Sequence, residues 1–373
     1  MAGELQNQRI TRLAPLGDVL ASMKTAVTPV APRAVDLSNA LYRALAEDVA
    51  AAASQPDGPR ALRDGYAVRA EDITDAGSYA PTPLAIAPAR VDLGDALPPG
   101  TDAVVSLDAV VSRGGRFEAI APATIGDGVL PGGADLDARD FIARAGWRLN
   151  DFNLAMLAMA GSKQVLVHEP RIRLVKSRAD ADVVLDAIGD LLARALNARG
   201  CAVRRSAGDL TGALADTADD AVIAIGGTGS GRNDTSVQTL AAHGRVITHG
   251  IAISPGETAA FGMSGNRPVL LLPGRIDAAI AGWLTMGLPL VDHLSGSTDA
   301  GDASTAVPLA RKVASPIGLV EIVPVRVMKG HAEPIASGYW PLASLAGTDG
   351  WILVPANSEG FPAGSDVVVR PWP

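Results

Sequence analysis

Residues 221–243 read AVIAIGGTGSGRNDTSVQTLAAH. Ala221 to Ile225 are consecutive apolar residues, the pattern of a buried strand. Gly226, Gly227, Gly229 and Gly231 crowd the positions that follow, with Thr228 and Ser230 between them. Arg232, Asn233 and Asp234 then lead into a helix-like run through Val237, Leu240 and Ala241. A strand, a glycine turn and a helix start make an anion site. Glycine lets backbone approach a ligand, and the free N–H groups of the first helical turn, with the positive end of the helix dipole, favour phosphate. The same arrangement also serves as a plain βα connector, so the turn alone leaves both readings open.

The chain has 373 residues, too many for one compact core, and two to four domains are expected. Hydrophobic residues make up 48% and charged residues 19%, which permits large cores and excludes a disordered chain. Net charge is −8 and pI about 5.2, which argues against bulk nucleic-acid binding. A local anion pocket remains possible, because Arg232, Arg245, Arg267 and Arg275 outnumber Asp234 and Glu257 between Ala221 and Arg275. The lone cysteine, Cys201, excludes an intrachain disulfide and disfavours a thiolate metal site. The five histidines show no metal-ligand spacing. The start, MAGELQNQRITRL, lacks an apolar signal core, and the longest uncharged apolar run, Ala278–Val291, is too short to span a bilayer. The expectation is a cytoplasmic chain with no membrane or nucleic-acid partner.

Along the chain, Leu13–Met23 reads as a helix, and Leu37–Ala53 as a second one with Leu41, Leu45 and Val49 on one face. Gln55–Arg60 is turn chemistry. From Ala61 to about Leu130, short β-type runs at Tyr66–Val68, Leu84–Ile86, Ala103–Leu107 and Phe117–Ile120 alternate with Gly, Pro and Asp. Pro131–Trp147 is irregular, and a helix capped at Asn150 or Asp151 stops at Gly161. A fresh α/β pattern follows. Strand Ile172–Val175 precedes helix Asp182–Arg199, whose inward face is Val184, Leu185, Ile188, Leu191, Leu192, Ala195 and Leu196. Strands Ala202–Arg204, Val246–Ile253 and Val269–Leu272 come next, the last followed by Pro273-Gly274-Arg275 and the helix Ile276–His293. Strands alternating with helices imply a parallel sheet, with ligands at the carboxyl ends of its strands, where both glycine turns lie. Ser295–Ser304 is a polar linker, and the tail is β-like at Leu319–Val327, Trp351–Val354 and Asp366–Val369.

Several co-linear motifs carry a resemblance. Tyr42 to Val49, YRALAEDV, and Arg63 to Val68, RDGYAV, open the series. Gly94 to Val105, GDALPPGTDAVV, follows, then Gly226 to Asp234, Pro255-Gly256-Glu257-Thr258 and Leu272 to Ile276, LPGRI. In this set and order the chain resembles the molybdopterin molybdenumtransferases, the family of bacterial MoeA and the gephyrin E domain, from about Leu13 to the C-terminus. The resemblance implies an α/β, multidomain, elongated architecture. Residues 8–54 with 131–168 would form a helical linker domain and 55–130 a β-rich domain. Residues 169–297 would form the central parallel-sheet molybdopterin-binding domain, and 305–373 a C-terminal β domain. It also implies a homodimer that, with magnesium, inserts molybdenum from molybdate into adenylylated molybdopterin and releases AMP.

Carried onto this chain, the resemblance implies pterin and phosphate contacts at Gly226, Gly227, Thr228, Gly229, Ser230, Gly231 and Arg232, at Pro255 and Gly256, and at Pro273, Gly274 and Arg275. Asp64 and Asp234 would be the catalytic carboxylates, and Asp64, Asp135 and Asp234 the metal positions. The plainer alternatives are a hairpin turn at Asp64-Gly65 and a helix cap by Asp234 with Asn233. The departures from the family pattern are specific. Its acidic Thr-Gly-Asp-Glu-Leu loop is missing, for Val175 runs through Lys176-Ser177-Arg178 directly toward Asp182. Glu257 replaces a lysine, and Arg275-Ile276 replaces Asn-Pro. Two readings follow: a divergent transferase, its chemistry kept or rebuilt with Asp180 or Asp182, and a non-catalytic pterin carrier serving a molybdoenzyme client. A purely structural or regulatory relative is the third.

Overall fold

The computed structural model describes residues 8–298 and 304–372. Residues 1–7 of the polar start, 299–303 of the expected linker and 373 at the end of the tail lie outside the described residues. The chain divides into two compact units. One comprises the chain through Glu47, Ala145–Leu154 and everything from Lys163; the other comprises Asp48–Arg144 and Ala155–Ser162.

The centre of the first unit is built from β1 (Arg171–Lys176), α1 (Val183–Ala198), β2 (Ala202–Ala207), α2 (Leu210–Ala215), β3 (Ala221–Ile225), α3 (Ser236–His243), β4 (Arg245–His249), β5 (Ala260–Ser264) and β6 (Arg267–Leu272). The helix α4 (Ile276–Gly282) continues through a π turn, Trp283–Gly287, into α5 (Leu288–Leu294). The sheet order is β2-β1-β3-β6-β5-β4. The first four strands are mutually parallel, as the α/β pattern predicts. The expectation of an all-parallel sheet fails at β5, which runs antiparallel to both neighbours. Its sequence, AFGMS, is too short to show a period, and only packing identifies it as a strand. A Cβ on Gly262 would lie 2.3 Å from the Arg245 carbonyl oxygen, so the strand takes its place because glycine stands there.

All of β3 is buried, and its alternation divides two cores. Ile223 and Ile225 join Ile172, Leu174, Leu270 and Leu272 under α1, α4 and α5, while Val222 and Ala224 join Val175, Val269 and Leu271 under α2 and α3. Asp182 caps α1 by accepting from the Val184 and Leu185 amides at 3.1 Å. This cap turns Val184 outward, against the expected inward placement, while Leu185, Ile188, Leu192 and Leu196 are buried.

The expected helix Leu37–Ala53 does not form. The segment holds a short 3-10 turn, Leu37–Asn39, and strands Ala44–Leu45 and Val49–Ala50. Tyr42 has a φ of +64°, which a helix cannot hold. Ala44 and Leu45 pair with His168 and Val167, so adjacent residues are buried where the fourfold spacing suggested one face. The expected helical linker therefore mixes the helices Leu16–Ala26 and Asp151–Met159 with short strands. The C-terminal sheet is built on Val320–Met328, Gly350–Val354 and Asp366–Pro371, with Thr305–Pro308 at its edge, close to expectation. It is stitched to the centre where Ile253–Ser254 pairs in parallel with Val320 and Glu321.

In the second unit Gly65–Val68 lies between Ala89–Val91 and Ala103–Val105, and Arg116–Ala119 lies between Val110–Arg113 and Thr82–Pro83. The expected strand at Leu84–Ile86 is displaced to Thr82–Pro83, leaving Ile86 exposed, and Phe141–Ala143 forms a strand inside the segment read as irregular. Gly65 is a strand residue and not a hairpin turn. A Cβ there would stand 2.0 Å from the Val105 carbonyl oxygen.

Two predictions test this architecture. Gly65→Ala forces the Gly65–Val68 and Ala103–Val105 strands apart and should lower stability by about 3 kcal/mol, at the upper end for overpacking, measured by urea unfolding. The second concerns Asp219, whose buried side chain bonds Arg173 Nε and Arg204 Nε, each at 2.8 Å. Burial pushes its carboxyl up, but Arg204 and Arg173 outweigh burial and the net direction is down. A depressed carboxyl gives stability that is present above the ordinary carboxylate range and lost as pH falls through the folded value. Asp219→Ala should therefore cost about 1.5–3 kcal/mol at neutral pH, because Asp216 still pairs with both guanidinium groups. The drop in the wild-type urea midpoint below about pH 4 should shrink in the variant.

Candidate functional site

The three turns that the sequence singled out converge at the carboxyl edge of the central sheet. The Gly226 N–H donates to the Leu272 carbonyl at 2.8 Å. A Cβ on Gly274 would sit 3.3 Å from the Gly226 Cα, so the first and third turns pack backbone to backbone. Gly226 and Gly227 have φ of +91° and +73°, a region that side-chain-bearing residues rarely adopt. The second turn joins them. Thr228 Oγ1 lies 3.0 Å from Thr258 Oγ1, and a Cβ on Gly256 would stand 3.1 Å from the Ala278 carbonyl oxygen. His249 Nε2 donates to the Thr228 carbonyl at 3.0 Å and fixes its orientation.

One expectation about this edge is corrected. The N–H groups of the first turn of α3 are already engaged. Gln8 Oε1 accepts from the Val237 and Gln238 amides at 2.9 and 3.0 Å, and Gln8 Nε2 donates to the Gly227 and Gly229 carbonyls at 3.1 and 2.9 Å. The donors left for an anion are in the loop itself. Among the described residues the amides of Gly227, Thr228, Gly229, Ser230 and Arg232 find no acceptor, nor do those of Gly274 and Arg275. Sequence inspection gave no sign of Gln8, because its partners stand 219 or more positions away.

Asp234 does not cap α3: the cap position is Thr235, whose own side chain makes no cap hydrogen bond, and Gln8 takes the first-turn amides. Instead Asp234 Oδ2 accepts from the Gly231 N–H at 2.9 Å, which closes the glycine loop on itself and leaves Oδ1 available. Arg275 is also engaged. Its Nε and Nη2 donate to the two oxygens of buried Asp277 at 2.7 and 3.0 Å, and the guanidinium lies over the Tyr339 ring at 5.4 Å. Asp277 keeps the guanidinium firmly charged, with burial opposing and Glu257 adding. Glu257, in the place of the family's lysine, folds back to accept from the Gly256 amide. Arg232 is exposed beside the loop. Arg245 and Arg267 stand at the amino ends of β4 and β6, the opposite edge of the sheet, so only two of the four arginines serve this one.

Asp64 and Asp135 belong to the second unit and are exposed. Asp64 Oδ1 accepts from the Leu93 amide at 2.8 Å, and the Asp135 amide donates to the Gln55 carbonyl. Among the described residues no group of three or more acidic, histidine or cysteine side chains is placed to hold a metal ion. Of the acids after β1, Asp182 is committed to capping α1 and Asp180 pairs with Arg178. Asp186, which the motifs did not single out, pairs with Lys176 at 2.6 Å. Burial pushes the Cys201 thiol up to about 12, so it stays protonated and unreactive at neutral pH. No helix among the described residues is long and apolar enough to cross a membrane.

Known proteins match along the length of the chain. Residues 14–161 match the MoeA N-terminal region (domain I and II), 171–293 the "Probable molybdopterin binding domain", and 306–372 the MoeA C-terminal region (domain IV). A Methanocaldococcus jannaschii protein named for molybdopterin biosynthesis is 28% identical, over 90% of this chain and 91% of its own. Molybdopterin molybdenumtransferase 2 of Mycobacterium tuberculosis is 25% identical, over 94% and 97%. The fold is that of the crystal structure of the MoeA molybdopterin biosynthesis protein of Pyrococcus horikoshii, with a TM-score of 0.76 at 21% identity over 97% of this chain and all of that one. With three successive matches in family order and a whole-chain structural counterpart, this chain belongs to the MoeA family of molybdenum cofactor biosynthesis proteins.

Proposed function

We propose that the chain is a molybdopterin molybdenumtransferase: it takes adenylylated molybdopterin and molybdate, inserts molybdenum at the dithiolene and releases AMP. The observation that carries the reading is the backbone contact between Gly226 and Leu272–Gly274. It sets two rows of unpaired amides side by side, and a phosphoanhydride presents two adjacent phosphates. Backbone N–H groups in a glycine loop are the donors that such groups need. Relatives along the full chain bear the transferase name, which favours turnover over a carrier role.

In this reading the amides of Gly227 to Ser230 and of Gly274 and Arg275 bind and orient the linked phosphates. Arg275, held by Asp277 and Tyr339, neutralises charge at the leaving phosphate. Cleavage of the phosphoanhydride by water gives AMP and the pterin monophosphate, and the two dithiolene sulfurs replace oxygens of molybdate, which leave as water. The acids present fit magnesium by their chemistry. It needs one or two carboxylates and takes its remaining ligands from phosphate oxygens and water. Asp234 would offer Oδ1, and the ion would supply positive charge against the phosphates. The chain acts as a homodimer in the cytoplasm and passes its product to a molybdoenzyme client.

Purified protein given adenylylated molybdopterin, molybdate and magnesium should release AMP, with a family transferase run in parallel. Release at background would overturn the reading. Asp234→Ala unpins the loop and removes a ligand, and should slow release at least about tenfold, a loss of about 1.4 kcal/mol or more of transition-state stabilisation. Arg275→Ala should weaken substrate binding and raise KM more than it lowers kcat, because the phosphate charge is present before the reaction as well as during it.

A further inference from the structure

A cavity of about 250 Å3 opens beside the glycine turns, at the carboxyl ends of β1, β2 and β3. Leu185 and Ile225 form apolar walls, and Lys176, Asp186, Arg205 and Ser206 line it with polar groups. Leu185 is the partition. Its Cδ2 lies 3.4 Å from the Cβ positions of both Gly226 and Gly274. A ligand anchored at the turns therefore reaches the cavity past a single side chain. The volume lies below the roughly 300–1,000 Å3 of pockets that take a whole drug-sized ligand, and suits one ring system.

The polar lining keeps unspent hydrogen-bonding capacity. Lys176 Nζ donates to Asp186 Oδ1 at 2.6 Å and to the Asp180 carbonyl at 3.0 Å, and one of its three N–H groups remains. The Asp186 carboxylate also draws the Asp182 backbone amide, and its two oxygens keep further lone pairs. Ser206 Oγ is buried with no partner. Gly189 bears on the same design. A mid-helix glycine costs about 1 kcal/mol against alanine, yet it stands in α1 where a Cβ would lie 2.8 Å from Arg205 Nη2. The missing side chain lets the Arg205 guanidinium lie across the helix at the cavity, tied to Asp190 at 2.5 Å.

A carboxylate with lone pairs to spare beside a cation with a spare donor describes a partner that has an N–H edge next to a carbonyl. Building on the proposed transferase reading, we propose that this cavity seats the 2-amino-4-oxopyrimidine edge of the pterin. Asp186 accepts from the 2-amino and N3–H groups, and Lys176 donates to the 4-oxo oxygen. Adenine, the other heterocycle of the substrate, has no carbonyl for Lys176. The basic run Lys176-Ser177-Arg178 stands where the family has its acidic loop, so the lysine of this edge reader comes with that replacement.

The test uses two fluorescent probes, pterin-6-carboxylate and the corresponding lumazine, which carries an oxo group in place of the 2-amino group. Wild-type protein should bind the pterin in preference. In Asp186→Asn the side-chain amide can donate to the 2-oxo group, so pterin affinity should fall about tenfold or more while lumazine affinity holds or rises. Gly189→Leu should weaken both probes together, and AMP affinity should be unchanged in both variants. A wild type that binds no pterin, an unchanged pterin-to-lumazine ratio in Asp186→Asn, or a parallel loss of AMP binding overturns the proposal. AMP release from the full substrate reads the transferase function separately, so the two can fail independently.

Discussion

The Gly226 N–H donating to the Leu272 carbonyl is the contact on which the candidate site depends. It forms where β3 and β6 end side by side, and both chains must turn away within one residue. A Cβ on Gly274 would press on the Gly226 Cα at 3.3 Å, and one on Gly226 would run into Ser177 Oγ at 2.5 Å. Positive φ at Gly226 and Gly227 then turns the loop, whose amides from Gly227 to Ser230 find no acceptor among the described residues. The surrounding groups hold that geometry. His249 orients one carbonyl, Asp234 closes the loop, Ser236 Oγ donates to the Gly226 carbonyl, and Gln8 satisfies the helix beneath it. The edge is an array of backbone dipoles, the kind of donor set that suits a phosphate.

Charge at this edge is balanced locally despite the acidic chain. Lys176 is matched by Asp186, Arg178 by Asp180, and Arg275 by Asp277. Each of these three basic groups therefore has a paired orientation before any ligand arrives. The same pairing explains why the shortened connection after β1 is tolerated. Asp182 caps the helix, the lysine reaches back to the Asp180 carbonyl, and no acidic loop is needed to close the gap between strand and helix.

What could be read from the chain and what could not separate along physical lines. Runs whose burial repeats with a local period were legible: β3, the face of α1, the helix before Gly161, and the C-terminal strands. Glycine turns were legible because a backbone conformation selects the residue. The segment after Leu37 misled, because a spacing of four also arises by chance when tertiary pairing with Gln164–His168 decides which residues are buried. The strand β5 was missed for the related reason that its identity comes from neighbours on both sides. Gln8 and Asp186 carried no signal, since a cap or a cavity lining is a matter of which distant groups are left unsatisfied. The count of four arginines overstated the positive charge at this edge, because Arg245 and Arg267 occupy the amino ends of their strands.

By itself the sequence determined the family, the α/β centre and the two glycine turns, because motif order, apolar alternation and glycine placement are local properties that survive without coordinates. Only the tertiary structure decided that those turns touch, that Gln8 fills the helix end beneath one of them, that Arg275 is held by Asp277, and that a cavity with spare donors and acceptors lies behind Leu185. Contacts across the sheet depend on where separate segments come to rest, and that is set by the packing of the whole unit.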